Sequence, residues 1–286
     1  MRYVAGIDAG TGLTKAVILA SRHDARPVVV GRGTSRAGVN VDRAAQAALD
    51  AALADAGREL TDICYVASTG FGRYGVSIRD IQITEITSGA RGAFFLFPET
   101  TSVLDIGSQS TRAVSLKAGG KVAQFKTNDK CAAGSGSFIV RAAKYLQIEL
   151  SEAGELALQA SAPQSISSVC AVLAESEIIN HVSAGVGVED ILRGIYDSLA
   201  ERAVMLLKRA GSMERVTFIG GVARQRGMVR ALEEKLGKRV NVPEHSEYVC
   251  ATGAALLGLR RLDATSHTFE IAPDAVTCQR DQDAIR

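Results

Sequence analysis

The sequence predicts an α/β protein made of two similar lobes, and three observations predict it. The opening stretch GIDAGTGLTKAVIL returns 97 residues later as VLDIGSQSTRAVSL, so Asp8 matches Asp105, Gly10 matches Gly107 and Lys15 matches Arg112. Short apolar runs of strand length are followed by segments of helical period in both halves. A third glycine signal, Gly220-Gly221, sits between a strand-like run at 216–219 and a helical pattern reaching residue 236. An internal repeat fixes architecture before any single element does.

Each copy of the repeat reads as a β-hairpin with a glycine-rich tip. Apolar runs flank the tip and pair as strands. Glycine there allows positive φ and lets a ligand approach the backbone. Hydroxyls and free N–H groups at such a tip cradle phosphate oxygens. The Asp closing the first strand suits a hydrated metal ion on those phosphates. Two hairpins in register therefore suggest two lobes that each offer one phosphate loop to a nucleotide. The spacing around Gly10 and Gly12 lacks the third glycine of GxGxxG, and no Walker A pattern occurs.

Taken in order, residues 3–19 form the first hairpin and 27–31 a third strand. Residues 41–56 have the period and alanine content of an amphipathic helix. A short buried strand at 63–67 runs into the turn Ser68, Thr69, Gly70, Phe71, Gly72 and Arg73. Residues 81–84 suggest a strand and 88–97 a helix. A break at 98–101 separates the repeats. The second hairpin is followed by a strand at 121–126, then by a polar, glycine-rich segment at 128–137 that contains Cys131 and Gly134. Helices are expected at 137–146 and at 151–160, the latter with Ser151 as N-cap. Residues 167–182 hold Cys170, Glu175 and Glu177. A long amphipathic helix spans 188–210, another runs from about 223 to 236, and a last one from 250 to 262. The tail from 263 to 286 shows no period.

Composition limits the function. The 286 residues are 47% hydrophobic and 22% charged, with a formal charge of +2. That mixture leaves no footprint for nucleic acid or a membrane. No apolar run approaches the ~18 residues of a membrane span, so a cytoplasmic protein is expected. Five cysteines without a CxxC pair argue against a self-contained zinc or thioredoxin-like site.

The motifs DAGTG at 8–12, DIGSQ at 105–109 and FIGGVA at 218–223 resemble the two phosphate motifs and the adenosine motif of the actin–Hsp70–sugar kinase superfamily. That resemblance implies mixed, five-stranded-type sheets with flanking helices, and ATP held between two lobes. It assigns lobe I to 1–98, completed by the helix at 251–262, lobe II to 99–250, and a tail to 263–286. Asp8 and Asp105 would hold Mg²⁺ through water. Thr11, Gly12, Thr14 and Lys15 would hold phosphates from one side and Gly107, Ser108 and Gln109 from the other, with Gly10 and Gly134 as further nucleotide-binding residues, and Gln109 would also orient the attacking water. Gly220, Gly221, Val222 and Arg224 would hold adenosine.

Four further stretches narrow the family. KCAAGSGSF, CAVLAESEII, ASTGFGR and EITSGARGA together resemble the ATP-dependent activator family, which includes activators of 2-hydroxyacyl-CoA dehydratases and ATP-binding subunits of benzoyl-CoA reductases. The resemblance implies a [4Fe–4S] cluster bridging two related ATP-binding subunits, with Cys131 and Cys170 as this chain's two ligands. It implies a related larger ATP-binding subunit, iron–sulfur reductase subunits that bind the acyl-CoA, and ferredoxin as electron donor. Within the family the chain looks closest to the smaller ATP-binding subunit of benzoyl-CoA reductase. Stand-alone activators carry Gly and Asp where this chain has Ser108 and Ser110. The rival expectations are a homodimeric dehydratase activator and a small-molecule kinase.

Overall fold

The computed structural model describes residues 1–22, 25–128, 135–167 and 171–268. The chain divides into two compact units. One holds Met1–Leu96 and the chain from Tyr248 on, and the other holds Phe97–Glu247. In chain order the elements are β1 Arg2–Ala9, β2 Leu13–Ser21, β3 Val28–Arg36, α1 Val41–Ala56, β4 Ile63–Thr69, β5 Ile81–Gln82, α2 Glu85–Leu96, β6 Ser102–Ile106, β7 Thr111–Lys117, β8 Lys121–Asn128, α3 Gly136–Tyr145, α4 Ala153–Leu156, α5 Ala171–Ser183, α6 Val188–Ala210, β9 Val216–Ile219, α7 Arg226–Leu236 and α8 Val249–Thr268.

The first unit carries a five-stranded sheet ordered β3-β2-β1-β4-β5. β1 is antiparallel to β2 and parallel to β4. Its strands read as near-continuous apolar runs because both faces are covered. Side chains alternate between those faces. Ala5, Ile7, Ala16 and Ile18 pack against Ala45, Ala48 and Leu49 of α1. Val4, Val17 and Leu19 pack against Ala251, Ala255 and Leu259 of α8. Each fully buried Leu or Ile in these layers contributes about 1.5–3 kcal/mol. Helix α1 begins where the Asn40 side chain accepts the Arg43 N–H at 2.9 Å and ends at Gly57 with φ 60°.

The second unit repeats the plan. Its four-stranded sheet is ordered β8-β7-β6-β9, with β6 antiparallel to β7 and parallel to β9. This matches β3-β2-β1-β4 strand for strand. The register shift between Ile18 and Leu19 in the β2–β3 pair returns between Ser115 and Leu116 in β7–β8, again 97 residues on. A β-bulge re-aims a strand and is a structural feature in its own right, so the duplication extends beyond the hairpins. Among the described residues the second sheet has no counterpart of β5, one strand fewer than the five-stranded pattern expected. Its core gathers Leu104, Phe138, Ile195 and Phe218 about the long helix α6. Tyr196 is fully buried there, and its hydroxyl donates to Gln225 Oε1 at 3.2 Å. Burial pushes the Tyr196 phenol well above its usual range.

Several boundaries depart from the sequence expectation. Strand β3 continues past Gly31 to Arg36 because Gly31 and Gly33 are where α1 touches the sheet. A Cβ at Gly33 would lie 2.1 Å from the Ala48 carbonyl oxygen. The single helix expected at 151–160 is instead α4 followed by a 3-10 turn at Ala157–Gln159. Ser151 does not cap it; the N-cap is Glu152, with no side-chain cap bond. Gly154 in its middle meets the chain at Gln225 and Arg226, where a Cβ would come within 2.8–3.0 Å. The helix expected from 223 starts at Arg226, after a 3-10 turn over Gly221–Arg224. The last helix runs to Thr268, six residues beyond the expected end at 262. No described helix is long and apolar enough to cross a membrane.

Candidate functional site

Asp8 and Asp105 stand at equivalent ends of β1 and β6. Asp8 lies opposite Lys15 across the first hairpin, and Lys15 Nζ is 3.3 Å from Asp8 Oδ2. Asp105 lies opposite Arg112 across the second, with Arg112 Nη1 3.0 Å from Asp105 Oδ2. Both carboxylates are largely shut away from solvent, at 8% and 7% exposure. A buried carboxylate is tolerable when paired in this way.

The turn after the parallel neighbour strand completes each cradle. Gly70 follows β4 with φ 91°, and a Cβ there would sit 2.6 Å from Asp8 Oδ1. Gly220 follows β9 with φ 91°, and a Cβ there would sit 2.6 Å from Asp105 Oδ1. Gly220 also has ψ 173°, a region in effect reserved for glycine. Each unit thus presents an Asp, a cation opposite it, and a glycine that leaves room for the carboxylate. Besides Lys15 against Arg112, the two cradles differ at the residue beside the aspartate. Thr69 is in register with Asp8, whereas Ile219 is in register with Asp105. Thr69 is fully buried, and its Oγ1 has no hydrogen-bond partner among the described residues. That orphaned hydroxyl beside a carboxylate fits a hydrated divalent cation, whose bound waters donate to hydroxyl and carboxylate oxygens.

The hairpin tips differ in how they are held. In the first, Gly10 N donates to Asp8 O at 3.0 Å, and Thr11 and Gly12 form the exposed tip. Thr14 is 1% exposed within the strand pair, and Lys15 is half-buried beside Asp8. In the second, Gly107 N donates to Ser110 O at 2.9 Å. Gly107 O accepts from Gly136 N at 2.9 Å, and Ser108 O accepts from Ser137 N at 2.7 Å. These donors are the otherwise unsatisfied first N–H groups of α3, so the helix is hooked directly onto the tip. Gly136 also abuts the third motif, since a Cβ there would lie 3.0 Å from Val222 Cγ2. Gly107, Ser108, Gly220 and Val222 are thereby gathered in one place. Gln109 is exposed at the tip, Gly221 has open space around it, and Arg224 reaches Glu247, with Nη1 3.3 Å from Oε1.

Several contributors were not singled out as site residues from sequence. Arg73 Nη1 donates to Gly70 O at 3.0 Å and to Glu85 Oε2 at 3.0 Å, which fixes the turn against Asp8. Gly136 and Glu247 join the second unit's site. The visible signals were ASTGFGR, EITSGARGA and the position of Gly136 just after the glycine-rich segment.

Cys131, Cys170 and Gly134 lie outside the described residues. Among those described, no three His, Cys, Asp or Glu side chains are grouped to hold a metal ion. The helices that follow the two cysteines in sequence are tied together: Arg141 of α3 pairs with Glu175 of α5 at 2.5 Å, and Tyr145 donates to the same carboxylate at 3.2 Å. That hydrogen bond to Glu175 pushes the Tyr145 phenol above its ordinary value.

Comparison with known proteins agrees with this arrangement. Residues 5–258 match the BadF/BadG/BcrA/BcrD ATPase family. The chain is 41% identical over 257 residues to the activator of lactoyl-CoA dehydratase from Anaerotignum propionicum, spanning 89% of this chain and 96% of that one. It is 38% identical over 268 residues to a benzoyl-CoA reductase subunit from Thauera aromatica, spanning 91% and 94%. The solved activator of the 2-hydroxyisocaproyl-CoA dehydratase from Clostridium difficile with bound ADPNP superposes with a TM-score of 0.88 at 36% identity, over 94% of this chain and 99% of that one. The chain belongs to the BadF/BadG/BcrA/BcrD ATPase family, and its fold is the duplicated actin-like ATPase fold.

Proposed function

From membership of that ATPase family, we propose that the chain hydrolyses ATP to drive single electrons into a separate acyl-CoA enzyme, and that this enzyme is a 2-hydroxyacyl-CoA dehydratase. The observation that carries the ATPase half is the duplicated cradle: Asp8 with Lys15 and Gly70, Asp105 with Arg112 and Gly220. The dehydratase half rests on the two relatives named as dehydratase activators. The reading as part of a benzoyl-CoA reductase has less support. It stands second on Ser108, Ser110 and the Thauera relative.

In this reading Asp8 and Asp105 hold the waters of a Mg²⁺ ion, and the Thr69 hydroxyl completes the polar shell beside Asp8. The tips at Gly10, Thr11 and Gly12 and at Gly107 and Ser108 offer backbone N–H groups to phosphate oxygens, with Thr14 and Lys15 supporting the first. Gln109 orients the water that attacks the terminal phosphate. Preorganised donors and cations aimed at developing charge are the largest source of such catalysis. Gly220, Gly221, Val222 and Arg224 receive the adenosine, and Gly134 is a further nucleotide-binding residue.

Cys131 and Cys170 would give two thiolates to a [4Fe–4S] cluster completed by a second related subunit, and such a cluster supplies a one-electron store of low potential. The protein's own contribution is mechanical. Because α3 is hydrogen-bonded to the Gly107–Ser108 tip, a change of phosphate state at that tip acts on the helix five residues after Cys131. A donor such as ferredoxin gives one electron, the acceptor takes one, and ATP and water become ADP and phosphate.

The test is reconstitution without oxygen. The chain, ATP and a reductant are added to a 2-hydroxyacyl-CoA dehydratase freed of its own activator. In parallel they are added to a benzoyl-CoA reductase from which the homologous ATP-binding subunit has been removed. The expected result is ATP-dependent formation of the 2-enoyl-CoA in the first mixture alone. Ring reduction in the second alone would replace the dehydratase reading with the reductase one.

A further inference from the structure

Glu247 is absent from every motif discussed above, yet it is built into the Gly220–Gly221 turn. Ser246 Oγ donates to Gly220 O at 3.1 Å, and Gly220 N donates to Ser246 O at 3.0 Å, so the chain leading into Glu247 is stapled to the turn. Glu247 Oε1 faces Arg224, an exposed side chain, at 3.3 Å. Glu247 Oε2 is closed off from solvent and has no hydrogen-bond partner among the described residues. The Glu247 side chain as a whole is 14% exposed, and Gly221 beside it leaves open space.

A carboxylate oxygen only accepts. Buried polar atoms are almost always paired, and one that is not asks what pairs it. Arg224 already serves the other oxygen. The open space above Gly221 is where a nucleoside approaches the backbone. Nucleosides carry neutral donors of two kinds, the ribose hydroxyls and the amino group at position 6 of adenine. Carboxylates that accept from ribose hydroxyls recur in dinucleotide folds.

We propose that Glu247 is a specificity-determining residue that accepts a hydrogen bond from a neutral donor of the bound nucleoside through Oε2, with Arg224 holding Oε1. This rests on the reading of the Gly220–Gly221 turn as the nucleoside site. The inference makes ATP selection depend on a residue 26 positions beyond that turn's strand-to-turn junction at Gly221.

The experiment measures the binding of ATP, 2′-deoxy-ATP, 3′-deoxy-ATP and inosine triphosphate to the full chain with Mg²⁺. Wild type is compared with E247A and with E247Q, which keeps the side-chain shape. Circular dichroism and melting confirm folding. Wild type should bind the analogue that lacks the contacted donor on the order of tenfold or more weakly than ATP. In E247A, ATP should fall to the level of that analogue while the analogue itself is unchanged, and E247Q should lie between. Loss confined to a deoxy analogue assigns a ribose hydroxyl, and loss confined to inosine triphosphate assigns the 6-amino group. An E247A variant that weakens all four ligands equally, or none, overturns the proposal. Failure of wild type to bind ATP at all overturns the nucleotide reading itself and this inference with it.

Discussion

Asp8→Asn should lower ATP hydrolysis by about 10²–10³-fold, the scale seen when one preorganised electrostatic group is removed from a transition state. Asn keeps the volume and the shape beside Gly70 but removes the charge that faces Lys15 and the proposed metal waters. The 3.3 Å ion pair between Lys15 and Asp8 is lost with that charge. The fold should survive, because the β1 register and the α1 and α8 layers are untouched. Asp105→Asn should give a loss of the same order, since Asp105 occupies the same cradle against Arg112 and Gly220. Steady-state phosphate release at saturating ATP and Mg²⁺ checks both. Rates within threefold of wild type for either variant would remove that carboxylate from the catalytic machinery. The iron content of the two variants should equal that of wild type.

Gly253→Ala should be among the most destabilising single-methyl changes in the chain. Gly253 of α8 lies against α2, and a Cβ there would be 1.8 Å from the Ser88 carbonyl oxygen and 2.9 Å from the Gly92 nitrogen. The contact is reciprocal, since a Cβ at Gly92 would lie 2.2 Å from the Val249 carbonyl oxygen. Backbone cannot step aside as a flexible side chain can, so the two helices must separate. Helix α8 also rests on β1 at Gly6, where a Cβ would be 2.0 Å from the Ala251 carbonyl oxygen. Moving α8 therefore disturbs the apolar layer over Val4, Val17 and Leu19. The expected cost is about 3 kcal/mol, or a fall in Tm of roughly 5 °C for a chain of this size. Gly38→Ala is the control, because nothing lies within 4 Å of the added methyl. A Gly253→Ala variant melting within 2 °C of wild type would mean that the helices are not packed this closely.

The parts of the fold that were legible in the sequence are those with a local signal. The 97-residue repeat placed both hairpins, and periodicity placed α1 and α6 with their ends at residues 41, 56, 188 and 210. The resemblance of the glycine motifs to a known superfamily anticipated the two-lobed ATPase fold. The second half of each cradle was not legible as a repeat. Gly70 and Gly220 are equivalent in space but 150 residues apart, because several helices and a longer connection separate β8 from β9 where α1 alone separates β3 from β4. Their flanks, ASTGFGR and FIGGVAR, share little beyond the glycine. Only strand register shows that Thr69 and Ile219 stand beside the two aspartates. Two of the misread elements share one cause. The strand expected to end at Gly31 continues because the backbone of α1 comes close at Gly31 and Gly33, and the helix expected to run through Gly154 is cut short where Gln225 and Arg226 come close. Tertiary approach of that kind leaves no local trace. The preference for a benzoyl-CoA reductase component rested on two serines at one tip, and the wider likeness to dehydratase activators outweighs them.

The measurement that bears most directly on the electron-activator reading is iron content with an absorption spectrum. It is taken on protein reconstituted without oxygen, alone and together with any related ATP-binding subunit it requires. Wild type is set beside Cys131→Ser and Cys170→Ser. The reading predicts a [4Fe–4S] spectrum in wild type and its loss in both variants, with ATP binding retained in all three. Iron bound equally by wild type and both variants, or by none of them in either preparation, would contradict it and leave an ATPase without the cluster chemistry proposed for Cys131 and Cys170.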